Sequence, residues 1–190
     1  MPTSTMRSVD DLTRAIRAGQ HPDYLFFWGH RPAKGGGPSK SCLSQWYESP
    51  FEVDGVAYPT AEHYMMAGKA RLFNDPDALR KILEASSPNE VKAAGRAIRG
   101  FDENRWRQYR WDIVANGNQA KFAQSADIKD FLLGTGEQVL VEASPVDAIW
   151  GIGLAADDPD APHPARWKGL NLLGFVLMEV RAQLRLPAPD

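Results

Sequence analysis

Repeated helix-start signals are the feature that most limits the fold of this chain. Thr60 follows Tyr58-Pro59, which stays extended because a residue before proline is pushed out of the α region. Ser87-Pro88-Asn89-Glu90 is a capping box with proline at the first helical position, and Asp102 precedes another amphipathic segment. Side-chain oxygens at such positions accept unpaired N–H groups of a first helical turn. These signals predict a mainly α-helical protein.

The same reasoning predicts helices in other parts of the chain. Apolar residues recur at helical spacing in segments that begin near Ser8, Pro76, Ser125 and Leu170. The segment after Asp102 contains Asn116-Gly117, which weakens a helix near its middle. We therefore expect either one kinked helix or two helices there.

Four short segments are predicted to be extended. Apolar and aromatic residues run from 24 to 28 and from 139 to 141, and residues 50–58 place two short pieces around an Asp54-Gly55 turn. Residues 149–153 form another predicted extended piece, with two glycines where the backbone must turn or approach something closely. The expected fold is a single compact helical domain with a few short β-strands. Residues 1–23 are assigned to an N-terminal helix and extension, and residues 24–190 to the main domain.

The composition excludes several classes of protein. A net charge of −2 gives no global attraction to nucleic acid or anionic membrane, so phosphate recognition requires a local site. A single cysteine, Cys42, excludes an intramolecular disulfide and a cysteine-based zinc cluster. No apolar run approaches membrane-spanning length, and the first 20 residues contain no signal-peptide core. We expect a cytoplasmic protein without membrane contact, metal or cofactor.

One predicted helix carries an acid and an amine on the same face. Glu62, Met66 and Lys69 follow Thr60 at spacings of four and three residues, so their side chains share one side of the helix. At 1.5 Å of rise per residue, the Glu62 and Lys69 backbones are separated by roughly 10 Å. That separation suits a small ligand between two ionisable groups better than a direct ion pair.

A series of ordered motifs extends over nearly the whole chain, about residues 24–185. The motifs are Leu43-Ser44, Ser49-Pro50-Phe51, Tyr58-Pro59-Thr60-Ala61-Glu62-His63-Tyr64, Lys69-Ala70, Ala120-Lys121-Phe122, Leu133-Gly134-Thr135-Gly136, Leu140-Val141-Glu142-Ala143-Ser144, Asp147 with Trp150-Gly151-Ile152-Gly153, and Asn171-Leu172-Leu173-Gly174 with Leu177-Met178. Together they resemble the NADAR family, whose described member is a riboflavin biosynthesis intermediates N-glycosidase. The resemblance implies a mainly helical fold and hydrolysis of N-glycosidic bonds to ribose phosphates. Some members of the family remove ADP-ribose from guanine bases.

The chain departs from the family pattern in several places. Gln45-Trp46 stands where the family usually has Asn-Phe, and residues 65–68 replace a usual Phe-Gln-Ala-Gln. The loops at 32–40 and 155–167 are longer than the usual pattern. These differences leave the reactive groups in place and leave the identity of the substrate open.

Three residues are candidates for catalysis. Lys69 is a candidate nucleophile, because a neutral amine that attacks C1′ of a ribose gives a Schiff base after ring opening. The lysine pKa must then fall from about 10.4 through burial or a cationic neighbour. Glu62 lies in a first helical turn, which favours a carboxylate acting as general base or stabiliser of an oxocarbenium ion. Asp147 could take the complementary role or hold a ribose hydroxyl.

Aromatic and basic side chains are candidates for binding the substrate. Residues 96–111 combine five arginines with Trp106, Tyr109 and Trp111, where arginine suits phosphate and aromatic rings stack on bases. Trp150 could provide a flat wall on which a base stacks, and Gly151 would let the backbone approach a sugar phosphate closely. His63 points about 100° away from Glu62 and is predicted to pack or hydrogen-bond rather than to bind a metal. The proposed substrate-binding residues are Ser44, Trp46, Phe51, His63, Trp106, Arg107, Trp150 and Gly151.

Three functions remain open at this stage. The first is removal of ADP-ribose from guanine in a nucleotide or nucleic acid, which extra tryptophans and arginines favour because they suit a two-phosphate ligand. The second is cleavage of ribosylamino-pyrimidine phosphates of riboflavin biosynthesis. The third is a non-catalytic ADP-ribose or nucleotide-binding module, against which the presence of both Glu62 and Lys69 argues. The oligomeric state is not indicated by the sequence.

Overall fold

This computed structural model describes residues 6–35 and 37–186 of the chain. Within these residues it contains seven α-helices and four short strands. Residues 1–5 of the predicted N-terminal extension, and residues 187–190, lie outside the described residues. The helices are α1 (Val9–Arg17), α2 (Ala61–Leu72), α3 (Pro76–Glu84), α4 (Pro88–Arg96), α5 (Glu103–Ala123), α6 (Ala126–Gly134) and α7 (Leu172–Leu184). The strands are β1 (Tyr24–Phe27), β2 (Phe51–Val53), β3 (Val56–Tyr58) and β4 (Val139–Glu142). The predicted mainly α-helical fold is confirmed.

Helix α2 lies at the centre of the helical layer and contacts α3, α4 and α5. Thr60 caps it by accepting the His63 backbone N–H. Small residues let the neighbouring helices come close: a Cβ at Gly68 would lie 2.7 Å from the Ile113 Cγ2 on α5. A Cβ at Gly95 of α4 would collide with the Met66 side chain on α2. The polar residues of α2 are therefore held in a well-defined direction.

Helix α5 is a single continuous helix of 21 residues, so the alternative of two helices is wrong. Gly117 is buried where α5 crosses α2, and a Cβ there would lie 2.5 Å from the Tyr64 Cδ1. The glycine lowers the intrinsic helix propensity, but the packing that it permits between the two helices outweighs this cost.

Two separate two-stranded sheets complete the described structure. Strands β1 and β4 are parallel, with Tyr24 opposite Val139 and Phe27 opposite Glu142. The carboxyl ends of both strands consequently meet at one edge. Helix α7 covers β4, and the core between them includes Leu140 and Phe175, which are both fully buried. Strands β2 and β3 form the expected antiparallel hairpin, whose turn has positive φ at both positions, residues 54 and 55.

The predicted extended piece at residues 149–153 is wrong, because bends replace a strand there. Asp147 Oδ1 accepts the backbone N–H groups of Ile149 and Trp150, each at 2.8 Å, which turns the chain sharply. The Ile152 N–H then donates to the Glu142 carbonyl at 2.9 Å. The segment therefore folds back over the carboxyl end of β4.

Helix α1 joins the main core through Leu12, which is fully buried with Met6 in the cluster that contains the β1 and β4 side chains. Cys42 is buried in the same cluster. None of the helices in the described residues is long and apolar enough to cross a membrane.

Candidate active site

A cavity of about 770 Å³ lies at the edge where the carboxyl ends of β1 and β4 meet. Its volume falls within the range of roughly 300–1,000 Å³ that is typical of small-molecule sites. Side chains from α2, α4, α5 and the two segments after the strands form its wall. The lining includes Trp28, His30, Ser44, Gln45, Trp46, Glu62, Met66, Lys69, Lys92, Arg96, Trp106, Glu142, Ser144, Asp147 and Trp150.

Glu62 projects from the first turn of α2 into this cavity and is only 4% exposed. Burial raises the pKa of its carboxyl to about 7, because the charged form loses its hydration. The charge of Lys92 and a hydrogen bond from Trp46 oppose that increase, while nearby Asp147 adds to it. Glu62 therefore exchanges a proton near neutral pH and has cations beside its ionised form.

Lys69 lies two turns further along α2 on the same face. Its Nζ donates to the Gly95 carbonyl at 3.0 Å and lies 4.2 Å from the centre of the Phe101 ring and 5.7 Å from that of Trp106. Burial lowers the pKa of this amine, against the opposing charges of Glu103 and Glu62. This is the direction that a nucleophilic amine requires.

Glu142 is a carboxylate that the sequence reasoning did not select. It ends β4, and its Oε2 is buried with no hydrogen-bond partner among the residues described. Burial, with added repulsion from Asp147 and Glu62, raises its pKa to about 8, although Lys92 opposes the increase. The available signal was an acidic residue directly after the apolar strand residues 139–141, a position at which a strand leaves the core.

Asp147 is half-buried and also faces the cavity. Its Oδ1 accepts two backbone N–H groups, as described above, so this oxygen holds the turn that positions Trp150. Three carboxyl groups, those of Glu62, Glu142 and Asp147, consequently surround one cavity and influence each other electrostatically.

Four of the six tryptophans in the chain line the cavity, namely Trp28, Trp46, Trp106 and Trp150. Trp28 is 57% exposed at the mouth, whereas Trp106 is 7% exposed. The Lys92 Nζ lies 5.6 Å from the centre of the Trp46 ring. Lys92 and Arg96 reach the cavity together because they are four residues apart on α4. The sequence reasoning missed Lys92, which this spacing could have revealed.

The arginine-rich segment mostly faces away from the cavity. Of its five arginines, only Arg96 is among the lining residues. Arg99 pairs with Asp75, and Arg105 lies over the Phe73 ring. Arg107 and Arg110 both approach Glu103 on the helix surface. A continuous basic surface is therefore not formed by these five residues.

The structure brings together seven of the predicted site residues and separates the other four from the cavity. Ser44, Trp46, Glu62, Lys69, Trp106, Asp147 and Trp150 line it. Phe51 instead stacks on Tyr58 in a second apolar cluster. His63 is buried on another face of α2, outside the cavity, where Nδ1 contacts the Thr60 hydroxyl at 2.8 Å. Arg107 is exposed on α5.

Gly151 makes its close approach to the protein itself. A Cβ there would lie 2.8 Å from the Glu142 carbonyl oxygen and 3.0 Å from that of Asp147. The glycine thus lets the segment after β4 fold tightly onto the strand, and it is buried below Trp150 rather than in the cavity wall. Gly151 therefore does not line the cavity, and its assignment to substrate binding stays a prediction.

A fully buried lysine supports the segment that carries Ser44 and Trp46. The Lys121 Nζ donates to the Cys42 carbonyl at 2.7 Å and to the Ser44 carbonyl at 2.9 Å. Burial lowers the pKa of this amine to about 7. Lys121 therefore joins α5 to the edge of the cavity through two backbone carbonyls.

No group of three or more His, Cys, Asp or Glu side chains within residues 6–35 and 37–186 is arranged to hold a metal ion. The arrangement instead combines a half-buried amine with carboxyl groups whose pKa values lie near neutrality. Such a set can supply a nucleophile, an acid and a stabilising negative charge to a bond that breaks heterolytically.

Comparison with known proteins gives the family. The sequence model of the NADAR domain matches residues 26–185, and the chain therefore belongs to the NADAR family, as its motifs predict. "N-glycosidase R617" of Acanthamoeba polyphaga mimivirus is 41% identical over 165 residues, which cover 84% of this chain and 95% of the relative. "N-glycosidase YbiA" of Escherichia coli K12 is 34% identical over 137 residues, 72% of this chain and 77% of the relative.

The fold agrees with a solved structure of that family. The NMR structure of E. coli YbiA superposes with a TM-score of 0.68 at 30% sequence identity. The superposition covers 87% of this chain and 86% of that chain.

Proposed function

We propose that this protein is a hydrolase that cleaves the N-glycosidic bond between a ribose phosphate group and a base, through a Schiff base on Lys69. The observation that carries the proposal is the cavity that holds Lys69 and the buried Glu62 on one face of α2. The relatives named N-glycosidases support the reaction class. A non-catalytic binding module has no need for an amine with a lowered pKa beside these carboxyl groups.

The first half of the reaction uses Lys69 as nucleophile and Glu62 as base. The neutral Nζ attacks C1′, and the bond from C1′ to the base breaks with its electron pair remaining on the base nitrogen. The departing base takes up one proton, and the attached Nζ gives one proton to the Glu62 carboxylate. A negative Glu62 also stabilises the positive charge that develops on C1′.

The second half releases the sugar. The lone pair of the attached nitrogen expels O4′, which takes the proton from Glu62, and a protonated imine forms between C1′ and Nζ. Water then adds to C1′ and loses one proton, which replaces the proton that the departing base took up. The hydroxyl proton of this adduct passes to Nζ as the C1′–Nζ bond breaks, which leaves an aldehyde and the neutral amine.

We propose ADP-ribose on guanine as the substrate, in a nucleotide or in nucleic acid. This substrate has two bases and two phosphates, and four tryptophans with two cationic side chains besides the nucleophile, those of Lys92 and Arg96, line the cavity. Stacking on an aromatic side chain contributes about 1–3 kcal/mol per base. A ribosylamino-pyrimidine phosphate has one base and one phosphate, and would leave much of this surface unused.

A trapping experiment tests the mechanism and the substrate together. The purified protein is incubated with ADP-ribosyl-guanosine or with a ribosylamino-pyrimidine phosphate, with and without borohydride. We expect faster turnover of the first compound and a covalent adduct on Lys69, detected by mass spectrometry of peptides. Lys69→Met should abolish both, whereas Lys81→Met, which removes an exposed lysine on α3, should retain both.

Four results would contradict parts of this proposal. Turnover by Lys69→Met at the wild-type rate excludes the lysine as nucleophile. Turnover without any adduct in borohydride excludes the Schiff base and favours direct attack by water. Faster turnover of the pyrimidine phosphate overturns the choice of substrate, and tight binding of both compounds without turnover favours the binding module.

A further inference from the structure

Two buried glutamates face the same cavity, and the groups that favour the ionised form are more numerous at one of them, Glu62. Glu62 has Lys92 and Lys69 near its carboxyl group and accepts a hydrogen bond from Trp46, all of which favour its ionised form against the effect of burial. At Glu142 the negative charges of Asp147 and Glu62 add to the effect of burial in raising the pKa, and the charge of Lys92 opposes them. Environments that separate two carboxyl groups in this way assign one as the acid and the other as the base.

Of the three carboxyl groups that face the cavity, we expect that of Glu142 to be protonated. Three carboxyl groups around one cavity cannot all ionise without strong mutual repulsion. Asp147 Oδ1 already accepts two backbone N–H groups, so this oxygen is engaged in holding the turn. Burial raises the pKa of both glutamates. Only Glu62 also has a hydrogen bond from Trp46 and the charge of Lys69 to favour its ionised form, so Glu142 is the glutamate that keeps its proton.

Glu142 brings a buried carboxyl oxygen to the cavity. Oε2 has no hydrogen-bond partner in the described part of the chain, although Glu142 lines the cavity. A buried polar atom without a partner costs about 1–3 kcal/mol, so a ligand atom that accepts its hydrogen would recover this cost. The cationic side chains that line the cavity, Lys69 on α2 with Lys92 and Arg96 on α4, carry only donors and cannot be that acceptor.

We propose that Glu142 is the catalytic acid, which donates its carboxyl proton to the base as the N-glycosidic bond breaks. The role rests on the proposed function and assigns the proton that the first half of the reaction requires. As the C1′–N bond breaks, its electron pair stays on the base nitrogen, which takes the proton from Oε2 and leaves Glu142 as a carboxylate. When water later adds to C1′, the carboxylate takes the proton of that water and returns to its starting form.

Leaving groups of different basicity test this role. ADP-ribosyl-guanosine needs a proton on its departing nitrogen, whereas an ADP-ribosyl 4-nitrophenyl conjugate releases a stable phenolate without one. For Glu142→Gln we expect kcat on the guanosine conjugate to fall by about 10²–10⁴-fold, the usual contribution of general acid catalysis. In a single turnover, release of 4-nitrophenolate should slow by less than about fivefold, because this release needs no proton and precedes the addition of water.

The pH profile of the wild-type protein gives a second readout that does not depend on a variant. The value of kcat/KM for the guanosine conjugate should decrease above about pH 8, where Glu142 loses its proton. The 4-nitrophenyl conjugate should lack this alkaline decrease, and so should Glu142→Gln with either compound. Glu84→Gln, on the exposed end of α3, is the matched control and should behave as wild type.

The outcomes separate the two proposals. If the wild-type protein turns over neither conjugate, the proposed function fails. If the wild-type protein is active but Glu142→Gln matches it, or loses the same factor on both conjugates, the acid role of Glu142 is overturned. The role is also overturned if both conjugates share the alkaline decrease.

Discussion

Removal of the buried Lys121 amine should change how stability depends on pH. The side chain is fully buried with its Nζ on two backbone carbonyls, and burial lowers its pKa to about 7. A lysine in the unfolded chain has a pKa of about 10.4. Between these two values the unfolded chain binds more protons than the folded protein, so stability rises with pH. Below about pH 7 the folded amine is charged and this pH dependence disappears.

The size of the effect follows from proton linkage. Integrating the difference in bound protons from about pH 7 to about pH 9 gives an increase of about 2 kcal/mol in the free energy of unfolding. Lys121→Met keeps most of the side-chain volume and removes the titration. Leaving the carbonyls of Cys42 and Ser44 without a donor also has a cost, but that cost is the same at both pH values and cancels.

Urea unfolding followed by tryptophan fluorescence measures this difference. The free energy of unfolding is determined at about pH 7 and about pH 9 for the wild-type protein, Lys121→Met and the exposed control Lys81→Met. We expect the wild type to gain about 2 kcal/mol relative to Lys121→Met over this range, with no comparable change relative to the control. If the difference in the free energy of unfolding between the wild type and Lys121→Met stays constant or decreases as pH rises, the Lys121 amine does not have a lowered pKa in the folded protein.

Two further changes test the core and the cavity. Gly174→Ala would place a Cβ against the Leu140 carbonyl oxygen between α7 and β4. We therefore expect the free energy of unfolding, measured in urea, to fall by roughly 1–3 kcal/mol. Unchanged stability would show that the helix can move away from the strand. Trp46→Phe removes the hydrogen bond that lowers the pKa of Glu62. The acid side of the pH profile of kcat/KM should therefore move to higher pH. A lower rate with an unchanged profile would show that the indole does not act through Glu62.

Local signals predicted the helices well because capping depends on residues that are three positions apart. Thr60, Ser87 and Asp102 each accept the backbone N–H of the third residue that follows, as their sequence contexts indicate. The spacing of Glu62 and Lys69 likewise predicted that both would face one side of α2, and both line the cavity. These relations need only the geometry of a single helix.

Local signals were insufficient where a partner from elsewhere in the chain decides the outcome. Asn116-Gly117 suggested a weak point, but Tyr64 of α2 packs against the glycine and α5 continues. Phe51 was assigned to substrate binding, yet its hairpin places it against Tyr58 in a separate cluster. The direction of such side chains depends on which element covers them, and that information lies outside the segment.

The sequence by itself determined the helical class, the family and the common face of Glu62 and Lys69, because capping, spacing and ordered motifs are properties of the chain. Only the tertiary structure decided which other groups share the cavity. The parallel pairing of β1 with β4 brings Trp28 and Glu142 to one edge, although they are far apart in sequence. Burial in that arrangement, rather than residue type, raises the pKa values of the two glutamates and lowers that of Lys69.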